Sequence, residues 1–257
     1  MQMTERDEAM LAWLSVVRIA DMGALRFALA GLAGASEPVS ERRVRQWVAR
    51  LVEMGLLERE RISLRGDSIV WVARRWNGAK RPHLLGQMTR HELTVAAVSA
   101  RYLTHGFSWE RDRKPISLFE HQTDGVARRG EQVDFVEVEL TAKTPARYQL
   151  IFNSHTFRLR ESGTARVVYL CTPGATRTVR REAARWVPVE VLPRLVVLDE
   201  IDARGRIATD PSQLWDDGPV GALSRPGRGE PVGAFDVAGF FPGGAYGTSS
   251  LSRDEQV

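Results

Sequence analysis

Three segments before residue 55 repeat apolar residues at helical spacing: roughly Glu5 to Ile19, Ala24 to Leu32 and Ser40 to Met54. The third is the clearest. Val44, Trp47, Val48, Leu51 and Met54 form one stripe at i, i+3, i+4, i+7 and i+10. Ser40 suits the N-cap, and Glu41 the positive end of the helix dipole. The opposite face carries Arg42, Arg45, Gln46 and Ala49, with Arg43 and Arg50 on its flank. Two runs of strand character follow, Leu56 to Leu64 and Ser68 to Ala73, joined at the turn pair Gly66-Asp67. Three helices and a hairpin are the order of a winged helix-turn-helix, expected over residues 1–76.

Residues 77–89 read as a basic linker containing Pro82 and Gly86. Beyond it, Arg90 to Thr104 is a helix apolar on most sides, as a helix packed between layers should be. Short strands are expected at Ile116 to Glu120, Gly125 to Arg128 and Gln132 to Thr141. A helix then starts at Pro145 with Thr144 as cap and Tyr148, Ile151, Phe152, His155 and Leu159 on its buried face. Arg166 to Cys171 is a strand, Arg177 to Trp186 a helix and Leu195 to Leu198 a strand. That order implies a mixed sheet flanked by helices over residues 90–201, an α/β module in a chain that is α+β overall. Residues 202–257 turn to Gly, Pro, Ser and Asp and read as a flexible tail. Its aromatic islands, Phe235, Phe240-Phe241 and Tyr246, are candidate anchors for a replication or transfer protein.

Charge sharpens the picture. The net balance is +4, but Ser40 to Arg81 holds eleven basic residues against five acidic ones. A basic excess gathered in one segment is what a phosphate-binding surface requires, so double-stranded DNA is the expected partner. The expected contacts are Arg42, Arg43, Arg45, Gln46 and Arg50 on the third helix and Arg65 at the tip of the hairpin. Mean hydropathy is −0.25 and no run approaches the length of a membrane span. The opening Met1-Gln2-Met3-Thr4-Glu5 is unlike a secretion signal, so a soluble cytoplasmic protein is expected. The single cysteine, Cys171, lies in an apolar run and reads as core.

Several machineries are excluded. The sequence holds no G-x-x-x-x-G-K-[ST] phosphate loop, no pair of histidines separated by one residue and too few cysteines for a zinc finger. What remains is Asp124-Gly125 followed by Glu137-Val138-Glu139-Leu140-Thr141-Ala142-Lys143. Alternate strand residues share a face, so Glu137 and Glu139 lie about 7 Å apart on one side. Two such carboxylates repel unless a cation sits between them. With Asp124 on the neighbouring strand, three oxygen ligands are expected to gather around Mg²⁺ or Mn²⁺. The ion would activate a water for attack on a phosphodiester, with Lys143 as the stabilising cation. The other reading of the same residues is structural, with Lys143 pairing with a glutamate.

The string Glu-x-Glu-Leu-Thr-x-Lys followed by Arg147-Tyr148, after a helix opening His91-Glu92-Leu93, resembles the replication-relaxation proteins of plasmids and integrated elements. The resemblance spans roughly residues 10 to 200. The α-β-β-β-α-β order is also similar to the PD-(D/E)XK nuclease core, in which an Asp and a Glu-x-Lys bind metal. The pattern departs at Thr123, where a Pro is usual, and at Glu139, which occupies the lysine position. The resemblance implies DNA replication or processing, with Asp124, Glu137, Glu139 and Lys143 as the catalytic set. Two outcomes stay open at this point. One is a divalent-metal nuclease or nickase. The other is a non-catalytic DNA-binding regulator whose α/β module serves homodimerisation or partner binding.

Overall fold

The computed structural model describes residues 2–61 and 68–207. The turn Gly66-Asp67, Arg65 and the aromatic islands of the tail lie outside the described residues. Within them the chain is α+β, with seven α-helices and two sheets. No described helix is long and apolar enough to cross a membrane.

The first half runs α1 (Glu5–Val17), β1 (Ala20–Asp21), α2 (Met22–Gly31), α3 (Glu41–Glu53), β2 (Leu57–Arg61) and β3 (Ser68–Val72). The three strands form an antiparallel sheet in the order β1-β3-β2. Ser40 caps α3 through the Arg43 amide, and Val44, Trp47, Val48 and Leu51 are its buried stripe. Asp21 caps α2 through the Ala24 amide. Gly55, at φ +62, ends the α3 turn, and the guanidinium of Arg75 sits where a side chain at Gly55 would go. Arg75 donates to the Met54 and Gly55 carbonyls, satisfying acceptors that the end of α3 leaves free.

Asp7 fastens α1 to α3. It is 1% exposed and accepts from the Trp47 indole at 2.8 Å, from the Thr4 amide at 2.9 Å and from Arg50. Arg50, expected on the DNA surface, is therefore committed to an internal contact. Burial alone would raise the Asp7 carboxyl, but Arg50, Thr4 and Trp47 outweigh it and hold its pKa down to about 2. A depressed native pKa stabilises the fold above the unfolded value, and the benefit disappears as pH falls through the native one. Urea melts should therefore show wild type more stable than Asp7→Asn by about 2 kcal/mol at pH 6. The gap should close between pH 4 and 2; a gap independent of pH would contradict this role.

The second half runs α4 (Arg74–Asn77), α5 (Gln87–Thr104), β4 (Ser108–Glu110), β5 (Gly125–Arg129), β6 (Gln132–Glu139), α6 (Pro145–Glu161), β7 (Ala165–Cys171), α7 (Pro173–Trp186) and β8 (Leu195–Asp199). The sheet order is β4-β5-β6-β7-β8, antiparallel through β6 and parallel from β6 to β8. Val136, Val138, Val168, Leu170, Val196 and Leu198 face α5, while Phe135, Val167, Tyr169 and Cys171 face α6 and α7. The parallel strands are apolar on both faces because helices cover both.

Three expectations change. Residues 116–120 are not a strand: Ile116, Leu118 and Phe119 are exposed, and the Ile116 amide donates to the Glu120 carboxylate at 3.1 Å. The edge strand is β4 instead, whose Trp109 packs over Gly125, where a Cβ would come within 2.0 Å of the indole. Nor is 77–89 a free linker, because Leu84 is buried with Ile19, Ile69 and Trp71, and α5 begins at Gln87. Finally, the two halves share one core, running from Met10, Leu25 and Leu51 through α5 to Val168 and Leu198.

Candidate functional site

The far end of β6 gathers the expected acids, but each finds a different partner. Asp124 continues the β5–β6 ladder through its amide, which donates to the Val136 carbonyl at 3.0 Å. Its carboxylate accepts from the Val138 amide at 2.8 Å and lies 3.2 Å from Nε2 of His91. That nitrogen is also 3.2 Å from the Val138 carbonyl, so with two acceptors in front of it Nε2 carries the proton. Burial works against a charged His91 ring, but Asp124 outweighs it and raises the pKa. His91 and Asp124 line a cleft of about 360 Å³ with Arg18, Arg111 and Lys114.

Glu137 and Glu139 share a face of β6 as alternation requires, and both are 4% exposed. Glu139 pairs with Lys143 at the i+4 position. Burial raises the Glu139 carboxyl, with Glu137 and Asp124 adding to the effect and Lys143 opposing it. Glu137 lies instead against two histidines. His121 Nε2 is 2.7 Å and His155 Nε2 3.3 Å from the same oxygen, Oε1. Burial would raise the Glu137 carboxyl, yet the two imidazoles hold it at about 2. His155, fully buried, has its own pKa lowered by that burial against the pull of Glu137.

His121, Glu137 and His155 are thus a cluster that could hold a metal ion, their ligand atoms all within 4.8 Å of one another. The set expected from sequence was Asp124, Glu137 and Glu139. Only Glu137 is common to both, because α6 brings His155 over the sheet and the segment before β5 brings His121 beside it. His155 already belonged to the buried face of its helix, which was the signal pointing toward β6.

On the first module, Arg42, Arg43, Arg45, Gln46 and Ala49 are all exposed along one side of α3. Arg45 meets Glu41 at 2.8 Å, a surface pair of little energetic weight. Comparison of the chain with protein-family models, characterised proteins and solved structures finds no match. Among the described residues the chain is thus an α+β protein with an exposed arginine-bearing face on α3 and a largely buried His-Glu-His cluster beside β6.

Proposed function

We propose that this chain is a sequence-directed DNA-binding protein of the winged-helix type. The observation that carries the reading is α3: a capped helix with an apolar stripe in the core and an exposed face of Arg42, Arg43, Arg45 and Gln46. Arg and Gln are the side chains that read guanine and adenine edges in the major groove. The order α1-β1-α2-α3-β2-β3, with its antiparallel β1-β3-β2 sheet, is the arrangement that presents such a helix. The likeness of the Glu137-to-Tyr148 string to replication-relaxation proteins supports a role in replication or processing of plasmid or integrated-element DNA.

A mobility-shift titration tests the reading. Arg45→Ala should weaken specific binding by roughly 1–3 kcal/mol and blur sequence preference. Unchanged binding by Arg42→Ala, Arg45→Ala and the double variant would end the α3 assignment.

Cleavage is the second reading, favoured by Asp124, immediately before β5, lying beside the end of β6 that carries Glu137, Glu139 and, beyond it, Lys143, on an α5-β4-β5-β6-α6-β7 frame like the PD-(D/E)XK core. It requires the acids to exchange their present partners for Mg²⁺ or Mn²⁺. Nicking of supercoiled plasmid by wild type, lost in Lys143→Ala, would favour this reading over binding alone.

A further inference from the structure

We propose that His121, Glu137 and His155 bind one divalent transition-metal ion of the zinc or cobalt(II) class, fastening the 111–124 segment to β6 and α6. The three residues come from separate parts of the chain, yet both Nε2 atoms aim at one carboxylate oxygen, at 2.7 and 3.3 Å. Around a tetrahedral ion with bonds of about 2.0–2.1 Å, ligand atoms stand about 3.3 Å apart. The two nitrogen–oxygen contacts, at 2.7 and 3.3 Å, already lie within an ångström of that spacing, and all three ligand atoms lie within 4.8 Å of one another.

The donor chemistry selects the metal. Two imidazoles and a carboxylate suit zinc, cobalt or iron, whereas Mg²⁺ prefers an octahedral shell of oxygens rich in water. A carboxylate as buried as Glu137 calls for a positive partner, and imidazole nitrogens beside a carboxylate are ligands a divalent ion takes. Nδ1 of His155 has no hydrogen-bond partner among the described residues, whereas Nε2 faces Glu137 Oε1 at 3.3 Å. Binding an ion at Nε2 would move the ring proton to Nδ1, which has no competing partner there. The Tyr169 hydroxyl, on the residue paired with Glu137 across β6 and β7, lies 3.1 Å from that Nε2 and supplies a nearby oxygen.

Access and purpose follow from burial. His155 is sealed, but His121 lines a cleft of about 320 Å³ with Phe119, Ser154 and Arg158, which gives an ion its entry. The 111–124 segment is irregular and carries exposed Ile116, Leu118 and Phe119. A metal at His121 would hold its end against the sheet, a structural task separate from the DNA-binding face of α3.

The test uses the full chain, stripped with a chelator, dialysed and titrated with Co²⁺. Wild type should bind one Co²⁺ with the visible absorption of a tetrahedral site, and Zn²⁺ should displace it. Zn²⁺ should raise the melting temperature, and Mg²⁺ at the same concentration should not. His121→Gln, on the cleft wall, should weaken Co²⁺ binding by roughly 100-fold, at least what losing a supporting contact costs. Its near-UV circular dichroism and DNA affinity should stay as in wild type. His83→Gln, at an exposed histidine, should behave as wild type. Absence of cobalt absorption in wild type, equal absorption in His121→Gln, or a Mg²⁺ shift equal to that of Zn²⁺ would overturn the proposal.

Discussion

Asp134→Ala is expected to cost about 3–5 kcal/mol of folding stability, the penalty for stranding one partner of a buried ion pair. Asp134 is fully buried on the α5 face of β6. It accepts from Arg166 Nε at 2.6 Å and from its terminal nitrogen at 2.8 Å, a bidentate pair across the β6–β7 register. It also accepts from the Tyr102 hydroxyl of α5 at 3.0 Å. One carboxylate thus joins two strands and the helix above them. Truncation removes a bidentate counter-charge from a guanidinium only 14% exposed, and an acceptor from a buried hydroxyl. Against a total stability of about 5–15 kcal/mol this is severe. The double change Asp134→Ala with Arg166→Met should recover much of the loss, because it removes the stranded charge and restores apolar packing. Urea unfolding of the four proteins in the cycle decides it. A single-variant loss below about 1 kcal/mol would mean that water reaches Arg166 and the pair counts as a surface one.

What the sequence made legible was whatever local periodicity encodes. The α3 stripe, the Asp124-Gly125 strand start, the two-faced β6 and the buried side of α6 follow from spacing and capping alone, and the structure bears them out. Elements whose reasons are non-local were missed. β1 is two residues long and exists because β3 lies beside it. Residues 116–120 look apolar enough for a strand, yet the edge position went to Ser108–Glu110, where Trp109 fills the space above Gly125. The acids suffered the same limit. Alternation correctly put Glu137 and Glu139 on one face, but their partners came from elements at other places in the chain. His121 reaches Glu137 from outside the strand, and His155 reaches it from α6. A search for closely spaced histidines could not see a pair that only the fold brings together.

The junction between the two halves carries the second large effect. Gly31→Ala should destabilise the whole chain, although alanine is the better helix former by about 1 kcal/mol. Gly31 is the last residue of α2, where that helix meets α5. A Cβ there would stand 2.5 Å from the Leu103 carbonyl carbon and 2.7 Å from its oxygen. Those are backbone atoms of another helix, so no side-chain rotation relieves the clash. Overpacking of this kind costs about 1–3 kcal/mol, occasionally more, which cancels or exceeds the propensity gain; the backbone contact puts the expected net loss near 2 kcal/mol. Gly31→Val should lose more, with greater bulk and no propensity gain of that size. The consequence should not stay local. Trp13 of α1 donates to Ser99 of α5 at 3.1 Å in the buried junction, and one apolar core continues from α1 to β8. Fluorescence from Trp13 and Trp47 and circular dichroism of the larger sheet should therefore fall together in one cooperative transition, shifted as a unit by the substitution. Proteolysis within 77–89 should release no stable N-terminal fragment, since cutting α5 away would bare the apolar side of α2. Two separate transitions, or a Gly31→Ala protein as stable as wild type, would show that the halves are independent and that α2 and α5 have room to part.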